Sequence, residues 1–104
     1  MLIEKELSVS IKVKYYVLFF IATNYCLEES VQLDKSGSLG ELVEILCQKY
    51  GEEFRRSIFC PDGSLKSTAW FILNGRRVGT DNPFSVGLND GDEMIISSPL
   101  LVGG

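Results

Sequence analysis

Few residues of this chain are equipped for chemistry, and most of them point away from catalysis. There is no histidine, which removes the commonest general base, the usual Ser-His and Cys-His nucleophile pairs and the commonest metal ligand. The three cysteines, Cys26, Cys47 and Cys60, are odd in number and no two are close in sequence. A zinc or iron–sulfur site wants four ligands, usually with a closely spaced pair. They therefore read as free core or loop thiols of a reducing compartment, which places the protein in the cytoplasm. No phosphate-binding glycine loop is present, so an enzyme is the last reading to choose. What remains is the carboxyl terminus itself. The chain ends Pro99-Leu100-Leu101-Val102-Gly103-Gly104. Pro99 rules out a helix through that point and favours an extended exit. Leu100, Leu101 and Val102 have no obvious core left to enter. Gly103 and Gly104 lack side chains, so backbone and carboxylate can slide into a narrow slot. The terminal carboxylate of Gly104 is the candidate functional group, with Gly103, Val102 and Leu101 as the threading segment.

A tail presents such a group only if a folded unit holds its root. From Val9 to Ile21 apolar residues fall on every odd position, a period of two that predicts a strand with the odd residues in the core. Its even face turns apolar at Tyr16, Leu18 and Phe20, which marks a docking surface. A turn at Asn24 leads to a second strand over Glu28 to Leu33. Ser38 opens a Ser-x-x-Glu capping box with Glu41, and Leu39, Leu42, Val43, Leu46, Cys47 and Tyr50 follow at helical spacing. Lys49 suits the last turn and Gly51 ends the helix. Glu52 to Ser67 reads as irregular, anchored by Phe54, Ile58 and Phe59, with a turn at Cys60-Pro61-Asp62-Gly63. Thr68 to Leu73 is a third strand, and Asn74-Gly75 is a strong hairpin signal returning through Arg76-Arg77-Val78. After a loop over Gly79 to Gly87, Leu88 dips into the core. An acidic turn, Asn89 to Asp92, then starts a final strand from Glu93 to Ser98, in which Met94 and Ile96 share a face.

The order is hairpin, helix, hairpin, final strand. It implies an α+β architecture, a mixed but mostly antiparallel sheet with one principal amphipathic helix packed on one face and the other face left to partners. The divisions are an N-terminal extension or strand lead-in (1–13), a folded domain (14–98) and a flexible tail ending Gly-Gly (99–104).

The 104 residues fit one domain, with 45% apolar and 23% charged residues and a net charge of −4. The only basic clusters are the pairs Arg55-Arg56 and Arg76-Arg77, too little for a nucleic-acid footprint. The longest apolar run, Tyr15 to Ala22, is far short of a membrane span. The N-terminus lacks the basic, apolar and cleavage segments of a signal peptide.

Three segments of the chain are similar to those of a known family. Val17-Leu18-Phe19-Phe20-Ile21-Ala22 resembles its first strand. Leu73-Asn74-Gly75-Arg76-Arg77-Val78 resembles its hairpin. Leu88-Asn89-Asp90-Gly91-Asp92-Glu93-Met94, followed by Gly103-Gly104, resembles its acidic turn and terminal diglycine. The family is that of the ubiquitin-like β-grasp sulfur carriers, comprising the small subunit of molybdopterin synthase (MoaD), the thiamin sulfur carrier (ThiS) and the archaeal ubiquitin-like modifiers. The resemblance covers roughly residues 14–104. Departures are the Ser98-Pro99 pair where molybdopterin-type members usually carry two prolines, the residues before 14, and extra length in the Gly79 to Gly87 loop.

The resemblance implies a carrier rather than an enzyme. An E1-like adenylating partner of the MoeB/ThiF type would use ATP and Mg²⁺ to form an acyl-adenylate on Gly104. A sulfur donor would convert this to a thiocarboxylate, and a sulfur-accepting enzyme such as the molybdopterin synthase large subunit would receive the sulfur. No cofactor is expected on the chain itself. The family's partner-binding positions fall at Phe20, Arg77 and Ser97, beside Leu18 and Tyr16. Alternatives sharing the fold are a protein modifier conjugated through Gly104 to lysines, a thiamin-type carrier, and an interaction module with an inert tail.

Overall fold

The computed structural model of the protein describes residues 9–33, 37–79 and 81–99. Among the described residues, five strands form one sheet: β1 (Val9–Tyr15), β2 (Glu28–Leu33), β3 (Trp70–Leu73), β4 (Arg76–Arg77) and β5 (Glu93–Ser97). Their order across the sheet is β2-β1-β5-β3-β4. β1 and β5 run parallel at the centre, Lys12 opposite Glu93 and Tyr15 opposite Ile96, and the other three pairings are antiparallel. The first and last strands are thus neighbours, and the last strand lies inside the sheet.

Period-two alternation puts Ile11, Val13 and Tyr15 of β1, Val31 and Leu33 of β2, Phe71 of β3, and Met94 and Ile96 of β5 into one buried layer. The principal helix, α2 (Leu39–Tyr50), supplies the facing layer through Leu39, Leu42, Val43, Leu46 and Cys47. It starts as the capping pattern predicts: the Glu41 N–H donates to Ser38 Oγ at 3.2 Å. It ends at Gly51, whose φ of 91° is the left-handed conformation glycine tolerates best. Leu88 reaches the core.

Three expectations are corrected. The first strand ends at Tyr15 instead of running to Ile21. Val17 takes φ 58°, and Leu18–Ala22 forms a short helix, α1. β2 reaches back only to Glu28, paired with Lys14, because Asn24 and Tyr25 turn the chain with positive φ. Residues beyond Tyr15 therefore have no strand to pair with along that edge. The helical turn satisfies them locally: the Thr23 N–H and hydroxyl both donate to the Phe19 carbonyl, at 3.2 and 2.8 Å. The core assignment changes with it. Phe19 is fully buried, but Val17 and Ile21 are exposed.

The second correction is at Glu52–Ile58, which is a helix, α3, rather than irregular chain. Phe54 and Ile58, four apart, share its buried face. Glu52 and Glu53 in the first turn and Arg55 and Arg56 in the last match the helix dipole. Phe54 packs edge-on against Phe19, with ring centroids 5.7 Å apart, so α1 and α3 close one end of the core together. The third strand also begins at Trp70 rather than Thr68. A short 3₁₀ turn, Pro83–Ser85, packs on α2. Among the described residues no helix is long and apolar enough to cross a membrane.

Candidate functional site

The acidic turn fixes where the final strand begins, and so where it ends. Asn74 (φ 49°) and Gly75 (φ 88°) form the left-handed hairpin turn that Asn-Gly favours. The Asn74 amide donates to Asp92 Oδ1 at 2.9 Å, and its side-chain oxygen accepts the Glu93 N–H at 2.9 Å. The other Asp92 oxygen accepts the Asn89 N–H at 2.8 Å. Asp90 accepts the Ser10 N–H at 2.8 Å. The two carboxylates are thus engaged in holding the turn to the hairpin and to β1.

β5 then carries the chain across the sheet to Ser97 and Ser98, both buried, and to half-buried Pro99. This tail root is tied to the segment after β1. The Tyr16 N–H donates to the Ile96 carbonyl at 3.1 Å and the Leu18 N–H to Ser98 Oγ at 3.4 Å. Gly104, Gly103, Val102 and Leu101 lie outside the described residues.

The partner-face residues are placed as follows. Tyr16 and Leu18 are exposed beside the tail root, on the turn and helix after β1. Phe20 is half-buried on α1, its ring 5.4 Å from that of Tyr25. Ser97 is buried, pairs with Trp70 across the sheet, and donates through its hydroxyl to the Ser98 carbonyl. Arg77 is exposed on β4, its guanidinium 4.3 Å from the Trp70 ring centre. Ser97, Trp70 and Arg77 therefore run together across the outer sheet, whereas Tyr16, Leu18 and Phe20 belong to the β1–β2 connection. Sequence periodicity assigned Val17 and Ile21 to the core, where the structure exposes them, and did not single out Trp70. The only signal for Trp70 was its being the one tryptophan.

The outer sheet face also carries an ion pair, Lys14 Nζ to Glu93 at 2.6 Å. This contact holds the Lys14 pKa above its ordinary value and the Glu93 pKa below it. On the core side of the sheet, Glu29 gathers three donors: the Tyr15 hydroxyl at 2.6 Å, the Tyr50 hydroxyl at 2.5 Å, and the Lys49 ammonium. Burial pushes the Glu29 pKa up, but these donors together outweigh it and bring it below the ordinary value. Burial and the same carboxylate push both tyrosine pKa values up, so the phenols stay protonated and donate.

Free thiols sit at Cys26, Cys47 and Cys60, with Cys47 buried and its pKa raised by burial. Among the described residues, no three acidic or cysteine side chains converge to hold a metal ion.

No protein-family model matches the chain, and no curated protein matches its sequence. Solved structures do match its fold. A Pyrococcus furiosus protein described as molybdopterin converting factor, subunit 1, superimposes with a TM-score of 0.70 at 25% identity, covering 88% of this chain and 99% of that one. SAMP1 from Haloferax volcanii gives 0.74 at 20% identity, covering 91% and 99%. The Amycolatopsis orientalis BexX/CysO complex contains a chain that gives 0.70 at 14% identity, covering 89% and 99%. The chain has the ubiquitin-like β-grasp fold these proteins share, and the resemblance to MoaD-like carriers read from its sequence is also a resemblance in three dimensions.

Proposed function

We propose that this protein is a carrier whose Gly104 carboxylate is activated and loaded with sulfur by partner enzymes. The observation that carries the reading is the exit of the chain from the sheet. β5 is an interior strand pinned at its start by the Asn74–Asp92 clasp. It delivers Ser98-Pro99 to one end of the sheet with five residues still to come, the last two glycine. Its structural neighbours include one described as a molybdopterin converting factor subunit and one seen in a BexX/CysO complex. These support a carrier that works with partner enzymes, and molybdopterin synthesis is the destination we propose.

The carboxylate is ionised at neutral pH and a poor electrophile. Adenylation by an E1-like enzyme of the MoeB/ThiF type, using ATP and Mg²⁺, joins it to AMP and releases pyrophosphate. Attack by a hydrosulfide-equivalent donor on the acyl carbon then expels AMP and leaves a Gly104 thiocarboxylate. A second enzyme, of the molybdopterin synthase large-subunit type, takes the sulfur. The chain is the substrate of these steps, which we place in the cytoplasm. Gly103 and Gly104 are needed because a Cβ would obstruct a channel narrow enough to align the carboxylate with the ATP α-phosphate.

A second reading keeps the activation and changes the acceptor. SAMP1 from Methanosarcina acetivorans, at 20% identity, is described as a small archaeal modifier protein. A lysine amine attacking the same acyl group would give an isopeptide. The test common to both readings is ATP–pyrophosphate exchange with the purified E1-like enzyme of the same organism. Wild type supports exchange, Gly104→Ala lowers kcat at least about tenfold with an unchanged melting temperature, and equal rates for the two forms contradict the reading.

A further inference from the structure

Among the described residues, the exposed large apolar side chains are Tyr16, Val17, Leu18, Ile21, Tyr25 and Leu27. All six lie on the single connection between β1 and β2. Val17, Leu18 and Ile21, with Thr68, Ser98 and Pro99, line one open groove of about 510 Å³. Its walls carry no charged side chain. An apolar surface of this kind, concentrated on one connection, marks an interaction site.

The backbone is held in an unusual shape to make it. Val17 has φ 58° and ψ −121°, a conformation a β-branched residue rarely adopts. It is fixed on both sides: Tyr16 N–H bonds the Ile96 carbonyl, and Leu18 N–H bonds Ser98 Oγ. These hydrogen bonds attach the apolar connection to the last strand and the root of the tail, while Phe19 packs it on α3. Valine at this position points an apolar side chain into the groove at a backbone geometry that glycine would occupy more easily.

Covalent geometry limits how far from the groove a partner can hold the tail. Five residues follow Pro99, and fully extended they span at most about 18 Å. An enzyme that holds the Gly104 carboxylate in its active site must therefore bring the mouth of that site within this distance of Pro99, itself a wall of the groove. We propose that the groove of Val17, Leu18, Ile21 and Pro99 is the docking surface for the adenylating partner, which seats apolar side chains from the rim of its channel there. The inference rests on the activation of Gly104 proposed above. It differs from a face built on Phe20, Arg77 and Ser97, since Phe20 is half-buried, Ser97 is buried and Arg77 belongs to the far strand β4.

The test uses the full chain and the purified E1-like enzyme of the same organism. ATP–pyrophosphate exchange is measured against carrier concentration for wild type, Ile21→Asp and Val17→Gly. Ile21 is 60% exposed, so its replacement is expected to leave the melting temperature unchanged. Ile21→Asp raises KM at least about tenfold with little change in kcat. Val17→Gly also raises KM, while its melting temperature is equal to or above that of wild type. A residue serving only the fold would show the reverse, lower stability with unchanged KM. Unchanged KM in both variants, with wild type active, overturns the docking proposal and leaves Gly104 activation standing. A wild-type chain that supports no exchange overturns the activation itself and the docking proposal with it. Self-association of the free chain that Ile21→Asp abolishes, with KM unaltered, assigns the groove to a second copy and also overturns the proposal.

Discussion

Asn74 and Asp92 hold each other across two turns that are eighteen residues apart in sequence: the Asn74 side-chain amide donates to Asp92 Oδ1 at 2.9 Å. Asn74 also accepts the Glu93 N–H through its side-chain oxygen and donates its own N–H to the Glu93 carbonyl, each at 2.9 Å. The hairpin tip and the acidic turn are therefore one structural device, which sets the register of β5 and through it the point where the tail leaves the sheet.

Asn74→Gly separates the clasp from the turn. Glycine keeps the positive φ that Asn74 adopts, so the hairpin geometry survives and only the side-chain hydrogen bonds are lost. The expected destabilisation is about 1–3 kcal/mol, read as a lower urea midpoint at an unchanged slope. An unchanged midpoint would show that the two turns hold without each other.

Glu29 makes stability depend on acid. Its folded pKa is lowered from an ordinary value of 4.5, so its contribution is fully present above that value. It is lost as the pH falls below 4.5 and through the folded pKa, when Tyr15, Tyr50 and Lys49 lose their charged acceptor. Glu29→Gln should be less stable than wild type at pH 7, and the gap should narrow at pH 3. A constant gap across urea titrations from pH 7 to pH 3 would remove Glu29 from the acid response.

Phe54 is the side chain that makes α3 part of the core. It is fully buried, with ring centroids 5.7 Å from Phe19, 6.4 Å from Tyr15 and 5.6 Å from Tyr50. Phe54→Ala should cost about 3–5 kcal/mol. Because α1 rests on α3, the Thr23 and Tyr25 amides, which bond the Phe19 and Phe20 carbonyls of α1, should also lose protection in hydrogen exchange before the sheet does. Uniform protection loss would mean that α1 and α3 unfold only with the whole domain.

Local chemistry made much of this legible. Ser38, Gly51 and Asn74-Gly75 announce their cap, stop and turn through backbone preferences that need no tertiary context. Alternation also placed Ile11, Val13 and Tyr15 inside. The same alternation misread residues 16–21, because an apolar run with few polar interruptions fits a strand and a helical turn alike. What decides between them is the length of β2, which periodicity in β1 does not report. α3 was missed although Phe54 and Ile58 are four apart, because the helix is only seven residues long and its cap is a glycine shared with α2. The tail is legible only as composition. The contact of Leu18 with Ser98, eighty residues apart, follows from the parallel pairing of β1 with β5, and no local pattern contains it.

The most direct test of the account is the mass of the C-terminal peptide from protein isolated from its own cells. The account predicts a fraction in which one terminal oxygen of Gly104 is replaced by sulfur. A uniformly unmodified Gly104, persisting after incubation with ATP, the E1-like enzyme and a sulfur donor, would contradict it and leave a β-grasp interaction module with an inert tail.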